Sequence, residues 1–349
     1  MRIVTPLIDL SERAVLPDEL IRLGIRRLCA ERLVDEGRWD PERADRRFRD
    51  VLSELRRSPL AIETDAANEQ HYEVPTRFYE LSLGHRLKYS SCYYPTGRET
   101  LDEAEDAMLA LTASRADLAD GQRILELGCG WGSLTLHLAA AFPNATITGV
   151  SNSRTQREAI LTRAAARGLT NVTILTCDVN RLELPAEAFD RVVSVEMFEH
   201  VRNHSRLFAN IAGWLAPGGK LFAHVFCHRT LMYPFEVTGE GDWMSQHFFT
   251  GGLMPSADTL LHFQDALVLE DRWLLSGVHY ERTANHWLAN LDRHRAEIDR
   301  VFVTDGGSAT DGREVQRWRI FFMACAELFG FDEGREWMVA HHRFAKRDR

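Results

Sequence analysis

Five short apolar runs, 124-ILEL-127, 145-ATITGV-150, 172-VTIL-175, 191-RVVSV-195 and 220-KLFAHVF-226, are separated by stretches of helical character at 133-SLTLHLAAAF-142, 153-SRTQREAILTRAAARG-168 and 205-SRLFANIAGWLAPGG-219. Strands that alternate with helices run parallel, because each crossover returns the chain to the same end of the sheet. The middle of the chain is therefore predicted to be an α/β fold with a doubly wound, parallel sheet. The flanks read differently. 18-DELIRLGIRRLCAERLVDEG-37, 41-PERADRRFRDVLSELRRSP-59 and 99-ETLDEAEDAMLALTASRADL-118 place apolar residues at three- and four-residue steps and read as amphipathic helices. Their Arg, Asp and Glu runs read as solvated faces. Beyond residue 229 the alternation stops. Helical segments are predicted at 281–302 and 313–330, a closing strand at 336-EWMVAHHRFAK-346, and an exposed loop at 304-TDGGSATDG-312.

Composition narrows the partners. The 349 residues carry a net charge of −9, which lacks the basic footprint of a general nucleic-acid binder. The cysteines at 29, 92, 129, 177, 227 and 325 form no C-x-x-C pair, so neither a metal site nor a disulfide framework is expected, and a cytoplasmic location fits. The opening 1-MRIVTPLIDL-10 is broken by Pro6 and Asp9 and is too short for a signal peptide. No apolar run approaches the ~18 residues of a membrane span. Peripheral membrane contact through the Arg-rich helices at 18–58, and a homo-oligomer, remain open.

The run 124-ILEL-127 leads straight into 128-GCGWG-132 and then a helix. Glycines at such a strand–helix junction let the chain turn sharply and let a ligand approach the backbone, although a tight turn with no ligand would use the same residues. A nicotinamide dinucleotide site would space the glycines G-x-G-x-x-G and end the second strand in an acid. Here the third glycine comes one position early and the second strand ends in 150-VSNS-153. A P-loop is excluded because no G-K-[ST] follows. The pattern suggests S-adenosylmethionine, with its amino acid portion on the glycine loop. Asp178, closing the third strand, is placed either to accept from an adenine amine or to cap a turn. A second polar cluster, 196-EMFEH-200, directly follows the apolar run at 191–195. Strand ends of open parallel sheets are where ligands bind, so Glu196, Glu199 and His200 are candidate catalytic groups; the plainer alternative is that they cap the next turn.

These residues carry a resemblance. 124-ILELGCGWGSL-134, with 71-HYEVPTRFYELSLG-84, 88-KYSSCYYP-95, 101-LDEAEDAML-109, 152-NSRTQ-156 and 196-EMFEH-200, resembles the cyclopropane-fatty-acid synthase and mycolic acid cyclopropane synthase family. Within it, 223-AHVFCH-228, 248-FFTGGLMPSAD-258 and 326-AELFGFDEGREWMVAH-341 are more similar to the coclaurine N-methyltransferase branch. The likeness runs from about residue 16 to the C-terminus. It implies a class I methyltransferase fold: a Rossmann-like, mostly parallel seven-stranded sheet with a helical N-terminal section and an inserted substrate cap. The expected division is 1–119 for the helical section, 120–228 for the cofactor-binding core, and 229–349 for the cap and closing strands.

The resemblance also implies site roles. Gly128, Gly130 and Gly132 would line the methionine end of S-adenosylmethionine, Tyr89 and Ser90 would contact it from the N-terminal section, and Ser151 and Gln156 would replace the usual ribose acid. Asp178 falls at the adenine position. Glu196, Glu199 and His200 match an acid–base cluster, and His224 and Tyr280 match site residues of the cyclopropane synthases. Tyr72 and Glu73 belong to an aromatic element expected to face substrate or simply to pack. Trp243, Phe248 and Phe249 are candidates for an amine-binding wall or for cap core, and His204 reads as a surface residue. Cyclopropane synthases hold a bicarbonate ion in a pocket that a cysteine helps form; here that position is Ser91, with Cys92 next to it. Ring formation is thereby put in doubt, and methyl transfer is not. The leading expectation is N-methylation of a small cyclic or aromatic amine. The alternatives are methyl or methylene transfer to an unsaturated fatty acyl chain, and a non-catalytic cofactor-binding protein.

Overall fold

The computed structural model describes residues 4–62, 74–236, 243–304 and 313–347. Nine strands occur among them: β1 Arg123–Leu127, β2 Thr146–Ser151, β3 Val172–Thr176, β4 Phe189–Val195, β5 Leu215–His228, β6 Tyr233–Pro234, β7 Leu253–Met254, β8 Leu267–Leu275 and β9 Trp337–Lys346. Seven of them form one sheet in the order β3-β2-β1-β4-β5-β9-β8, and β6 pairs with β7 apart from it. β1 to β5 are mutually parallel, while β9 runs antiparallel to both β5 and β8. The strand order reverses between β1 and β4, whose neighbouring C-terminal ends open the crevice where a doubly wound sheet takes its ligand.

Two expectations change. The helix predicted over 205–219 stops at Trp214, and Leu215 already belongs to β5, because the glycines at 218 and 219 suit an extended turn rather than a helix interior. Strand β8 has no counterpart among the predicted strands. It lies at the sheet edge, and the half-exposed LVLEDRWLL carries acids that mask its strand pattern.

The flanking helices follow their local signals. Asp40 caps Pro41–Arg57 by accepting from the Arg43 N–H, and proline sits at the first helical position, where no N–H is needed. Thr100 and Glu103 form a reciprocal capping box at the start of Leu101–Arg115. The N-terminal helix Asp18–Asp35 packs on the C-terminal helix Glu314–Gly330, with Glu327 accepting from Arg22 at 2.8 Å and Arg26 at 2.6 Å. Beneath these ion pairs lies an aromatic layer. Phe78 and Tyr79 meet Trp318, Tyr79 meets Trp131 of the glycine loop, and Trp287 meets Phe322. That layer presses residues 76–90 against the C-terminal ends of the strands. All six cysteines are free thiols, and no helix among the described residues is long and apolar enough to cross a membrane.

Candidate active site

Two cavities meet above the β1–β4 crevice. Lys88, Tyr89, Ser90, Glu126 and Trp131 line the first, and Ser151, Asp178, Met197 and His200 line the second. Gly128, Gly130, Gln156 and Glu196 border both, so the two form one continuous cleft.

The glycine loop divides its work. Gly128 has φ +77°, and a Cβ there would lie 2.8 Å from the Met197 side chain. Gly130 has φ +50° and would carry a Cβ into open space on the cleft side. Gly132, with φ +78°, borders neither cavity; its missing side chain lets the loop close against Ile160, 2.6 Å from where a Cβ would stand. Its missing side chain thus serves the packing of the loop. Ser151 donates to Gln156 Oε1 at 2.6 Å, which leaves the buried Gln156 amide nitrogen without a hydrogen-bond partner among the described residues. The indole nitrogen of Trp131 is buried and unpartnered too. Unmet donors on the cleft wall suit a ligand rich in hydroxyl and carboxylate oxygens. Asp178 borders the cleft and accepts from the Asn180 N–H at 2.7 Å as a turn cap.

Two charged lining residues escape the sequence reading. Glu126 is an acid inside a buried parallel strand, a signal visible in ILEL, and it accepts from the Thr135 hydroxyl. Burial pushes its pKa up to about 8. Lys88 is fully buried; its ammonium donates to Ser90 Oγ at 2.5 Å and to the Ser91 carbonyl at 2.7 Å, and burial lowers its pKa.

Glu196 directly follows β4 in the left-handed region, φ +49°, a conformation that costs a non-glycine residue about 1–2 kcal/mol. Its side chain explains why the strain is kept. Oε1 accepts from the Ser91 N–H at 2.9 Å and from His224 Nε2 at 3.1 Å, and Oε2 accepts from the Tyr280 hydroxyl at 2.7 Å. Burial raises its pKa, against the opposing pull of Lys88, the Ser91 and Tyr280 hydrogen bonds and His200. His224 and Tyr280 thus converge where the resemblance leads one to expect a free anion, and the chain's own carboxylate takes their hydrogen bonds.

Glu199 sits in the next turn, fully buried. Oε1 accepts from the Phe226 N–H at 2.6 Å, and Oε2 has no partner among the described residues. Burial, then the neighbouring Glu196 charge, hold its pKa well above the ordinary carboxyl value. His200 borders the cleft half-buried, with its ring 4.6 Å from that of Phe249. Phe249 in turn contacts Phe226 and Phe235.

The other aromatic candidates lie elsewhere. Trp243 donates to Glu12 at 2.7 Å, and Phe248 stacks on Phe321 at 4.4 Å in the cap core, so neither borders the cleft. Ser91 contributes its backbone N–H, while its hydroxyl faces the Cys92 carbonyl. His204 is buried, not exposed: its Nε2 meets the Phe198 carbonyl at 3.1 Å, and its ring packs on Phe198 and Phe263. Tyr72 and Glu73 lie outside the described residues, as does the loop predicted at 304–312 beyond Thr304. His85, Asp102 and Glu105 bring ligand atoms within 4.8 Å of one another. These acids accept the backbone N–H groups of His85, Arg86 and Lys88, a loop-locking role.

The sequence profile of the mycolic acid cyclopropane synthetase family matches residues 61–335. The chain is 37% identical over 349 residues to (S)-coclaurine N-methyltransferase of Thalictrum flavum subsp. glaucum, covering 99% of this chain and 96% of that protein. The crystal structure of coclaurine N-methyltransferase bound to N-methylheliamine and SAH matches with a TM-score of 0.93 at 36% identity, over 98% of this chain and 99% of the other. Mycolic acid cyclopropane synthase complexed with SAH and CTAB shares the fold, with a TM-score of 0.70 at 20% identity over 83% and 100% of the two chains.

Proposed function

The chain belongs to the mycolic acid cyclopropane synthetase family as an S-adenosylmethionine-dependent methyltransferase, and from that premise we propose that it methylates the nitrogen of a small cyclic or aromatic amine. When bound, the cofactor supplies a methyl group activated on a sulfonium. Gly128, Gly130, Tyr89, Ser90 and Gln156 would hold it, and the unmet Gln156 and Trp131 donors fit its oxygens. On this reading residues 120–228 form the cofactor-binding core, 1–119 contribute to both the cofactor and the acceptor site, and 229–349 supply the cap over the acceptor and the closing strands.

Positioning dominates such a displacement, because the reacting nitrogen must lie in line with the methyl group. The amine must also arrive with a free lone pair. His200, half-buried at the cleft, takes the proton of an arriving ammonium. Glu199 offers its unpaired oxygen to the nitrogen. Glu196 stabilises the positive charge that returns to the nitrogen as the new N–C bond forms. Phe249, beside His200, gives the acceptor ring an aromatic wall.

The observation that carries this reading is the three-donor hold on Glu196. A site built to bind a free anion would leave those donors open. Here they hold a carboxyl group of the chain itself beside the glycine loop, which suits a nitrogen that becomes cationic. The test is turnover with isotopically labelled cofactor against a panel of cyclic secondary amines and against vesicles of unsaturated phospholipid. A labelled methyl on an amine is the expected product. Mass gain on lipid with every amine unchanged would overturn the proposal in favour of acyl modification. Glu199→Gln should cut turnover about a hundredfold and leave SAH affinity within about twofold.

A further inference from the structure

Glu196 is the end of a longer row of side chains. The strand register sets Trp273 of β8 opposite His341 of β9, His341 opposite His224 of β5, and His224 opposite Val195 of β4, the residue before Glu196. Residues paired in register share a face of the sheet. The helix Leu101–Arg115 ends over this face. The Arg115 guanidinium lies 5.0 Å from the Trp273 ring centroid, and Arg343 stands over the same ring and donates to the Arg115 carbonyl at 3.0 Å. Arg115 makes no ion pair among the described residues. It meets His341 Nδ1 at 2.9 Å.

That contact has a direction. A guanidinium only donates, so His341 Nδ1 accepts, and a neutral His341 carries its proton on Nε2. His341 Nε2 lies 3.0 Å from His224 Nδ1, which must therefore accept in turn. The His224 proton is then on Nε2, 3.1 Å from Glu196 Oε1. Both histidines are fully buried, and burial, reinforced by the positive charges of Lys88 and Arg115, keeps them neutral by pulling their pKa values well below the ordinary range. With the opposite His224 tautomer, a nitrogen lone pair would face a carboxylate lone pair, and Glu196 would have to take up a proton to bond His224. Two imidazoles buried in a sheet are costly where two apolar side chains would pack as well.

We propose that Arg115 and His341 are positioning residues that impose the Nε2–H tautomer on His224 and so hold Glu196 as an ionised hydrogen-bond acceptor. The assignment rests on the reading of Glu196 given above only for its consequence in turnover.

The test uses the full chain labelled with 15N-histidine, without acceptor, with the His224 signals identified by their loss in His224→Asn. The expected wild-type spectrum shows His224 protonated on Nε2 with a bare Nδ1. Arg115→Met should mix the tautomers and lower kcat about tenfold, with acceptor KM and SAH affinity within about twofold. Arg115→Lys, which keeps a donor, should restore most of both. If Arg115→Met does not fold, His341→Gln, whose amide can still donate to His224, is expected to keep the tautomer, and His341→Phe to lose it. A wild-type His224 protonated on Nδ1, or a tautomer unmoved by losing Arg115 or the His341 donor, overturns the proposal. Full turnover in Glu196→Gln with the tautomer in place would instead sink the functional reading of Glu196 and leave the tautomer assignment standing.

Discussion

The two sides of the cleft are built by different means. On the proposed reading the cofactor side is mostly local: Gly128, Gly130 and Trp131 fall in one short loop, Ser151 and Gln156 follow within the next strand and helix, and only Tyr89 and Ser90 come from the N-terminal section. The acceptor side is assembled from distant segments. Ser91 stands 105 positions from Glu196, Tyr280 84 and His224 28, and His341 is 117 from His224. The Glu196 hold exists only when sheet, N-terminal segment and cap helix have all docked. Damage on the acceptor side should therefore strike turnover, and damage on the cofactor side should strike binding.

The largest expected effect breaks the acceptor side alone. Glu196→Gln should lower kcat by roughly two to three orders of magnitude while calorimetric SAH affinity changes little. Equal losses in both would erase the contrast between the two sides. Next, Gly128→Ala should weaken SAH binding by about tenfold or more, because the new Cβ meets Met197 at 2.8 Å in a left-handed turn. Loss of kcat with unchanged SAH affinity would count against the division.

A pH series on the ligand-free protein gives a smaller effect. Burial raises Glu105 to about 7 and Glu126 to about 8. In the folded chain both keep protons that the unfolded chain releases near the ordinary value of 4.5. Their contribution to stability is thus complete below that value and is lost as pH rises through about 7 and 8. Tm should fall across this window, and Glu126→Gln should flatten the fall; a Tm that rises from pH 6 to 9 in the wild type would contradict this. The smallest effect lies far from the cleft. Glu327→Ala breaks the pairs with Arg22 and Arg26 and should cost about 1 kcal/mol in denaturant melts, with kcat unchanged.

Legibility followed the same division. The glycine loop, the closing strand and the capped helices could be read because each rests on spacing within a few residues. Edge strand β8 could not, since its polar positions face solvent and hide its period. Trp243 and Phe248 read as readily for a wall as for a core, and only packing against Glu12 and Phe321 puts them in the cap. His204 looked exposed because nothing in its neighbours announces that Phe198 and Phe263 close over it.

By itself the sequence determined the doubly wound sheet, the glycine loop that leads out of β1 and the presence of acids at the end of β4. These follow from local periodicity and from the few conformations glycine alone adopts. Only the tertiary structure decided what those acids do. Glu196 and Glu199 stand in one five-residue stretch, yet one is held by three donors and the other keeps an unpaired oxygen. That difference comes from which distant N–H and O–H groups the sheet register and the docked cap bring within hydrogen-bond reach.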